Sequence, residues 1–183
     1  MARKPNDILD ELLVLKAQQG DKTAIAMLVK KWHKMLVVQA YRNTHDYETS
    51  KDVVQEAWQA IIAKIGKLND PSKFKAWASR IVHNKSVSWV RARQKERVKN
   101  QAYERDYTEA GEDDQRLTQL RVALTDLSPE QRTVISLFYA DQYSVTQIAE
   151  VMDCPVGTVK SRLFKARQYL KEYMEHNKPK GYE

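Results

Sequence analysis

Residues Ser144 to Leu170 restrict the architecture of this 183-residue chain more than any other stretch. Ser144-Val-Thr-Gln147 has the form of a capping box, in which the serine hydroxyl accepts a bond from the third helical N–H and the glutamine side chain reaches back. Ile148, Ala149 and Met152 then supply an apolar face for a short helix. Asp153 and Cys154 leave room for only a tight turn, and Pro155 suits the first turn of the next helix, where its missing N–H would have no intrahelical partner. Taking Val159 as zero and advancing about 100° per residue, Leu163, Ala166 and Leu170 fall within roughly 40° of it, so the second helix is predicted to bury one stripe. A short helix, a tight turn and a longer helix make a helix-turn-helix. Upstream, Ser128-Pro-Glu-Gln131 repeats the capping pattern and opens a helix whose Val134, Leu137 and Phe138 can support the pair.

The longer helix keeps its chemistry away from its seam. Lys160, Ser161, Phe164, Lys165 and Gln168 all lie off the apolar stripe. An aromatic ring flanked by two lysines and a hydroxyl suits a DNA major groove: lysine donates to guanine acceptors, serine pairs with several bases, and an apolar ring touches a thymine methyl. The competing reading is a solvated helix face with a stray phenylalanine. The capped helix and turn before it favour DNA binding, because in a helix-turn-helix the second helix enters the groove.

Net charge +7 points toward a polyanionic partner. The single cysteine excludes an intramolecular disulfide framework, and no Cys/His cluster has zinc spacing. No run of 18 apolar residues occurs, which predicts a cytoplasmic protein without membrane insertion. The N-terminal part reads as helical throughout. Ala24, Met27, Leu28, Trp32, Met35 and Leu36 recur at helical spacing, as do Val54, Trp58, Ile61, Ile62 and Ile65, and nothing alternates long enough for a strand. A break from Gly66 to Ser72, containing Asn69-Asp-Pro71, precedes a last helix that starts near Lys73. Phe74, Trp77 and Ile81 on that helix are expected to pack into the core.

Charge is uneven along the chain, and the unevenness divides it. From Lys73 to Lys99 nine basic residues stand against Glu96 alone, whereas from Asn100 to Arg116 six acids stand against two arginines. The expected fold is all-α: two small helical domains, 1–97 and 118–183, joined by a flexible acidic linker over 98–117. Basic charge interleaved with aromatics suits single-stranded bases as well as duplex. Two cationic modules on one tether favour gripping one nucleic acid at two places.

These residues resemble the extracytoplasmic-function group of bacterial RNA polymerase sigma factors, small two-domain members of the sigma-70 family. The resemblance covers nearly the whole chain. Gly20-Asp21 with Ala24, Leu28 and Val29 looks like the opening of the family's second region, and Asp52-Val-Val-Gln-Glu56 matches its most recognisable short motif. Phe74-Lys-Ala-Trp77 with Arg80-Ile81 and Asn84 matches its promoter-melting helix, and Met152 to Arg167 matches the fourth region.

The resemblance implies roles. Asp52, Gln55 and Glu56 would dock on core RNA polymerase. Asn84 and the loop residues Asn69, Asp70, Ser72 and Lys73 would hold an unpaired, flipped base of the −10 element. Lys160, Ser161 and Phe164 would read the −35 element as duplex, with Thr158 and Lys165 nearer phosphate, while Arg162 braces the helix. Where the family often carries arginine before the asparagine, this chain has His83. Core RNA polymerase, promoter DNA and an anti-sigma factor are the implied partners. No catalytic residue, metal ligand or cofactor is expected: Asp52 and Glu56 lack a nearby His or Cys at ligand spacing. The alternatives are a stand-alone helix-turn-helix regulator and, more distantly, a nuclease carrying a DNA-targeting module.

Overall fold

The structure, a computed structural model, describes the backbone of residues 5–99 and 115–177 and the side chains of residues 7–93 and 118–177. The chain divides into two compact units. Among the described residues there is no strand, as the periodicity requires.

The first unit contains α1 (Pro5–Gln18), α2 (Lys22–Thr44), α3 (Tyr47–Lys64), two short 3-10 turns (Ile65–Lys67 and Pro71–Lys73) and α4 (Phe74–Lys99). Gly20 lets the chain reverse between α1 and α2 by taking φ +88, a region that costs a side-chain-bearing residue more. Asp21 then caps α2, accepting bonds from the N–H groups of Thr23 at 2.8 Å and Ala24 at 3.1 Å. At the other end His45 adopts φ 55 and donates its backbone N–H to Tyr41. Asp46 follows as the cap of α3, bonded by the Thr49 N–H at 2.7 Å, and these bonds hold its carboxyl below the usual carboxylate pKa.

α2 packs against α1, α3 and α4, and the core lies where the four helices face one another. Val14, Leu28, Leu36, Val54, Ile61, Phe74 and Val82 are fully enclosed there. Each such side chain contributes about 1.5–3 kcal/mol of burial free energy. Trp77 and Ile81 pack against this core half-buried, so their role in packing is realised. Two expected core residues are not: Met27 is 47% exposed and Ile62 43% exposed. Met27 lies about 60° outside the sector of α2 that the neighbouring helices cover, and Ile62 sits about 40° past Trp58 at the rim of the α3 seam.

The second unit contains α5 (Gln115–Asp126), α6 (Pro129–Ile135), a wide π turn (Ser136–Ala140), α7 (Val145–Met152) and α8 (Val156–His176). Both predicted capping boxes form. Ser128 Oγ accepts from the Gln131 N–H at 3.2 Å while Gln131 Oε1 accepts from the Ser128 N–H at 3.0 Å. Ser144 and Gln147 repeat the exchange at 3.2 and 2.9 Å. α8 packs on α5 and α6 through Val159, Leu163 and Ala166, all buried, with Leu170 half-buried at the end of the seam. Tyr169 adds a polar tie, donating its hydroxyl to Asp126 at 2.9 Å.

Two local expectations need correction. Pro155 is the N-cap of α8 and not a residue of its first turn: its carbonyl accepts from Thr158 at 2.9 Å and Val159 at 3.3 Å, so the helix begins at Val156. Phe138 does not continue a regular α6. The Asp141 N–H reaches back five residues to Ser136 at 3.1 Å, which widens the last turn and leaves Phe138 half-buried beneath the Arg167 guanidinium. The helices α4 and α5 reach into both ends of the acidic stretch 98–117, and residues 100–114 of that stretch lie outside the described residues.

Candidate nucleic-acid interface

α8 sorts its side chains as a reading helix must. With Val159, Leu163 and Ala166 turned inward, Lys160, Ser161, Phe164, Lys165 and Gln168 are all exposed. Phe164 is 69% exposed, the most exposed large apolar side chain among the described residues. A phenyl ring left in water on an otherwise well-sorted helix has lost the burial free energy that its own fold could have given it. Thr158, in the first turn, is half-buried.

Arg162 and Arg167 do something different from the lysines. The Arg162 guanidinium lies 3.8 Å from the Cys154 sulfur and reaches back across the turn before α8. Arg167 stacks over the rings of Phe138 and Tyr139, with its guanidinium carbon 5.0 and 5.4 Å from their centroids, and the two rings meet edge to face at 5.1 Å. Nothing in sequence spacing announced that contact, because the π turn that presents the two rings has no simple periodic signature.

In the first unit, Asp52, Gln55 and Glu56 stand at i, i+3 and i+4 of α3 and are exposed, while Val53, Val54, Ala57 and Trp58 between and beside them are buried. The Glu56 carboxylate is not a lone acid: it pairs with the Lys85 ammonium of α4 at 2.9 Å. Glu56 and Lys85 also line an open groove of about 400 Å³ together with Val53, Asn84, Ser88 and Trp89. The structure therefore brings Glu56 and Asn84, expected to serve different partners, to one groove.

The loop is placed elsewhere. Asp70 accepts from the backbone N–H of Ser72 at 3.0 Å and from its hydroxyl at 2.6 Å, which fixes the turn before α4. The Gln18 side-chain amide ties that region to α1 by donating to the carbonyls of Ile65 at 3.0 Å and Leu68 at 2.8 Å. Asn69, Asp70, Ser72 and Lys73 are exposed. Asn84 lies ten positions into α4 from Phe74, which places it roughly 15 Å along the axis from the loop. Loop and asparagine thus do not close into a single pocket.

Lys85 and Arg93 stood out in the sequence only as members of the basic run from Lys73 to Lys99, and Trp89 had no role assigned. The Arg93 guanidinium carbon lies 4.9 Å from the Trp89 ring centroid, an i, i+4 pair whose spacing was available in the sequence. His83 is half-buried beside the exposed Asn84, and its pKa is lowered by burial and, secondarily, by the positive charge of Arg91. Among the described residues no group of three or more His, Cys, Asp or Glu side chains gathers as metal ligands, and no helix is long and apolar enough to cross a membrane.

A helix-turn-helix that exposes lysines and a ring on its second helix, in a chain with a second helical unit, fits a DNA-binding protein. Comparison with known proteins specifies the family. Residues 28–96 match the family model for sigma-70 region 2, and residues 117–170 match that for sigma-70 region 4. The chain is 31% identical over 182 residues to the RNA polymerase sigma-H factor of Pseudomonas aeruginosa, covering 91% of this chain and 94% of that protein. It is likewise 31% identical over 180 residues to the ECF RNA polymerase sigma-E factor of Escherichia coli K12, covering 89% and 93%. Among solved structures, CnrH in complex with the cytosolic domain of CnrY superposes with a TM-score of 0.68 at 25% identity, covering 92% of this chain and 99% of that one. The sigma factor RpoE in complex with the anti-sigma factor NepR from Bartonella quintana gives 0.68 at 26% identity, covering 84% and 98%. The chain belongs to the extracytoplasmic-function group of the sigma-70 family.

Proposed function

We propose that this sigma factor acts from the cytoplasm by binding core RNA polymerase, reading a −35 element as duplex through α8, and holding unpaired bases of a −10 element along α4, without catalysis of its own. The observation that carries the reading is the sorting of α8: one buried stripe, and opposite it Lys160, Ser161 and a Phe164 ring that is 69% exposed. Thr158 and Lys165 flank that face and contact phosphate. Asp52, Gln55 and Glu56 form the polymerase-docking face on α3. Asn84 on α4 and Asn69, Asp70, Ser72 and Lys73 in the loop before it handle the single strand. Base flipping costs a few kcal/mol, which these contacts offset.

The work is done by binding free energy, directed first to the enzyme and then to the promoter. An anti-sigma factor is a further partner. The solved relative RpoE was captured with the anti-sigma factor NepR, and that supports an anti-sigma partner here. No observation favours the stand-alone regulator, which would bind duplex promoter tightly without polymerase.

Two substitutions separate the faces. Lys160→Ala is expected to weaken −35 recognition by about tenfold, the cost of roughly 1–3 kcal/mol for one specific base contact, while leaving polymerase association intact. Asp52→Ala is expected to impair association with core enzyme and leave DNA contacts intact. Gel filtration with core enzyme and fluorescence anisotropy on promoter duplex read the two separately. Wild-type −35 binding by the Lys160 variant removes the reading face, and normal co-elution of the Asp52 variant removes the docking face.

A further inference from the structure

We propose that Gly157 is a positioning residue that sets how closely promoter DNA approaches α8. This rests on the reading of α8 as the −35 helix.

Counted from Val159 at about 100° per residue, the exposed side chains Lys160, Phe164, Ser161 and Lys165 lie at roughly 100°, 140°, 200° and 240°. Gly157 lies at about 160°, in the same angular sector but about 4.5–12 Å nearer the start of the helix. It is exposed, it is inside the helix, and its backbone is not in the left-handed region that calls for glycine. A Cβ built on it meets nothing within 4 Å.

The chain's own fold therefore gives no reason for a glycine there, and alanine is the better helix former at such a position. The remaining reason lies outside the chain. On the face that meets DNA, a position without a side chain bares the helix backbone, so the duplex can come nearest to α8 at that point. Farther along the same face Lys160, Ser161 and Phe164 reach into the groove. A methyl group at residue 157 would stand between helix and duplex and hold those three side chains away from the bases at once.

The test compares wild type, Gly157→Ala and Gly157→Leu as full-length chains bound to core polymerase. The probe is a promoter duplex selected by the wild-type holoenzyme from a randomised library. Expected results are thermal unfolding of the free Ala variant at or above the wild-type midpoint, unchanged association with core enzyme, tenfold or greater loss of promoter affinity for Ala, and a larger loss for Leu. Wild-type affinity in a folded Gly157→Ala variant overturns the proposal, as does a loss that accompanies a lowered midpoint. Lys160→Ala runs beside them as the control on the reading face. If it too binds as wild type, the −35 assignment of α8 has failed. If it alone weakens, that assignment stands and the role of Gly157 falls.

Discussion

Removing the Phe164 ring should separate DNA binding from folding more cleanly than any other single change. The ring is 69% exposed, so Phe164→Ala removes little that the fold uses. Alanine also has the higher helix propensity, so the variant should unfold at the wild-type temperature or slightly above it. In the complex the same ring carries weight. An aromatic side chain can bury about 150–250 Å². The exposed share of that is roughly 100–170 Å², and a groove contact that covers about half of it is worth ~1–2 kcal/mol at about 25 cal/mol per Å². Promoter affinity should therefore fall about five- to thirtyfold, with the loss concentrated on promoters that place a thymine methyl beneath the ring. Holoenzyme binding to a panel of single-base −35 variants, followed by anisotropy, measures it, and circular dichroism follows folding in parallel. Wild-type affinity across the panel, or a midpoint several degrees lower, would refute the argument that the ring serves DNA and not the fold.

Other consequences are equally direct. Leu163, on the opposite side of α8 and 4% exposed, should behave in the reverse sense: Leu163→Ala should cost about 2–5 kcal/mol and lower the unfolding midpoint of the C-terminal unit, as seen by differential scanning calorimetry. His83 supplies a pH dependence. Its folded pKa lies below the ordinary value of about 6.5, so the fold favours the neutral ring. The stability this gives is complete above about pH 6.5 and is lost as the pH falls through the folded value. Urea unfolding between pH 7.5 and 5 should show that decline, and His83→Gln should flatten it; an unchanged slope in the variant would mean that the imidazole is not the titrating group.

The parts legible in the sequence were those set by local chemistry. Ser128 with Gln131 and Ser144 with Gln147 form their capping boxes because both partners lie three residues apart on one chain and need no tertiary neighbour. The α8 seam was legible for the same reason, since a period of 3.6 residues orders every position on a straight helix. What the sequence did not show depends on neighbours. Met27 and Ile62 have the right spacing, but which edge of a helix is covered is decided by where α1, α3 and α4 lie. The pairing of Glu56 with Lys85 joins residues 29 positions apart, and its convergence with Asn84 in one groove is a product of α3 packing on α4. The stacking of Arg167 on Phe138 and Tyr139 depends on a π turn, a departure from helical period that periodicity cannot announce.

The central claim is that these two helical units carry core polymerase to one promoter and open it. In vitro transcription with purified core enzyme, this chain and a randomised promoter library tests it most directly. The account predicts transcripts that require the chain and begin a fixed distance downstream of one shared pair of motifs. A chain that neither co-elutes with core polymerase nor directs any initiation from the library would contradict it.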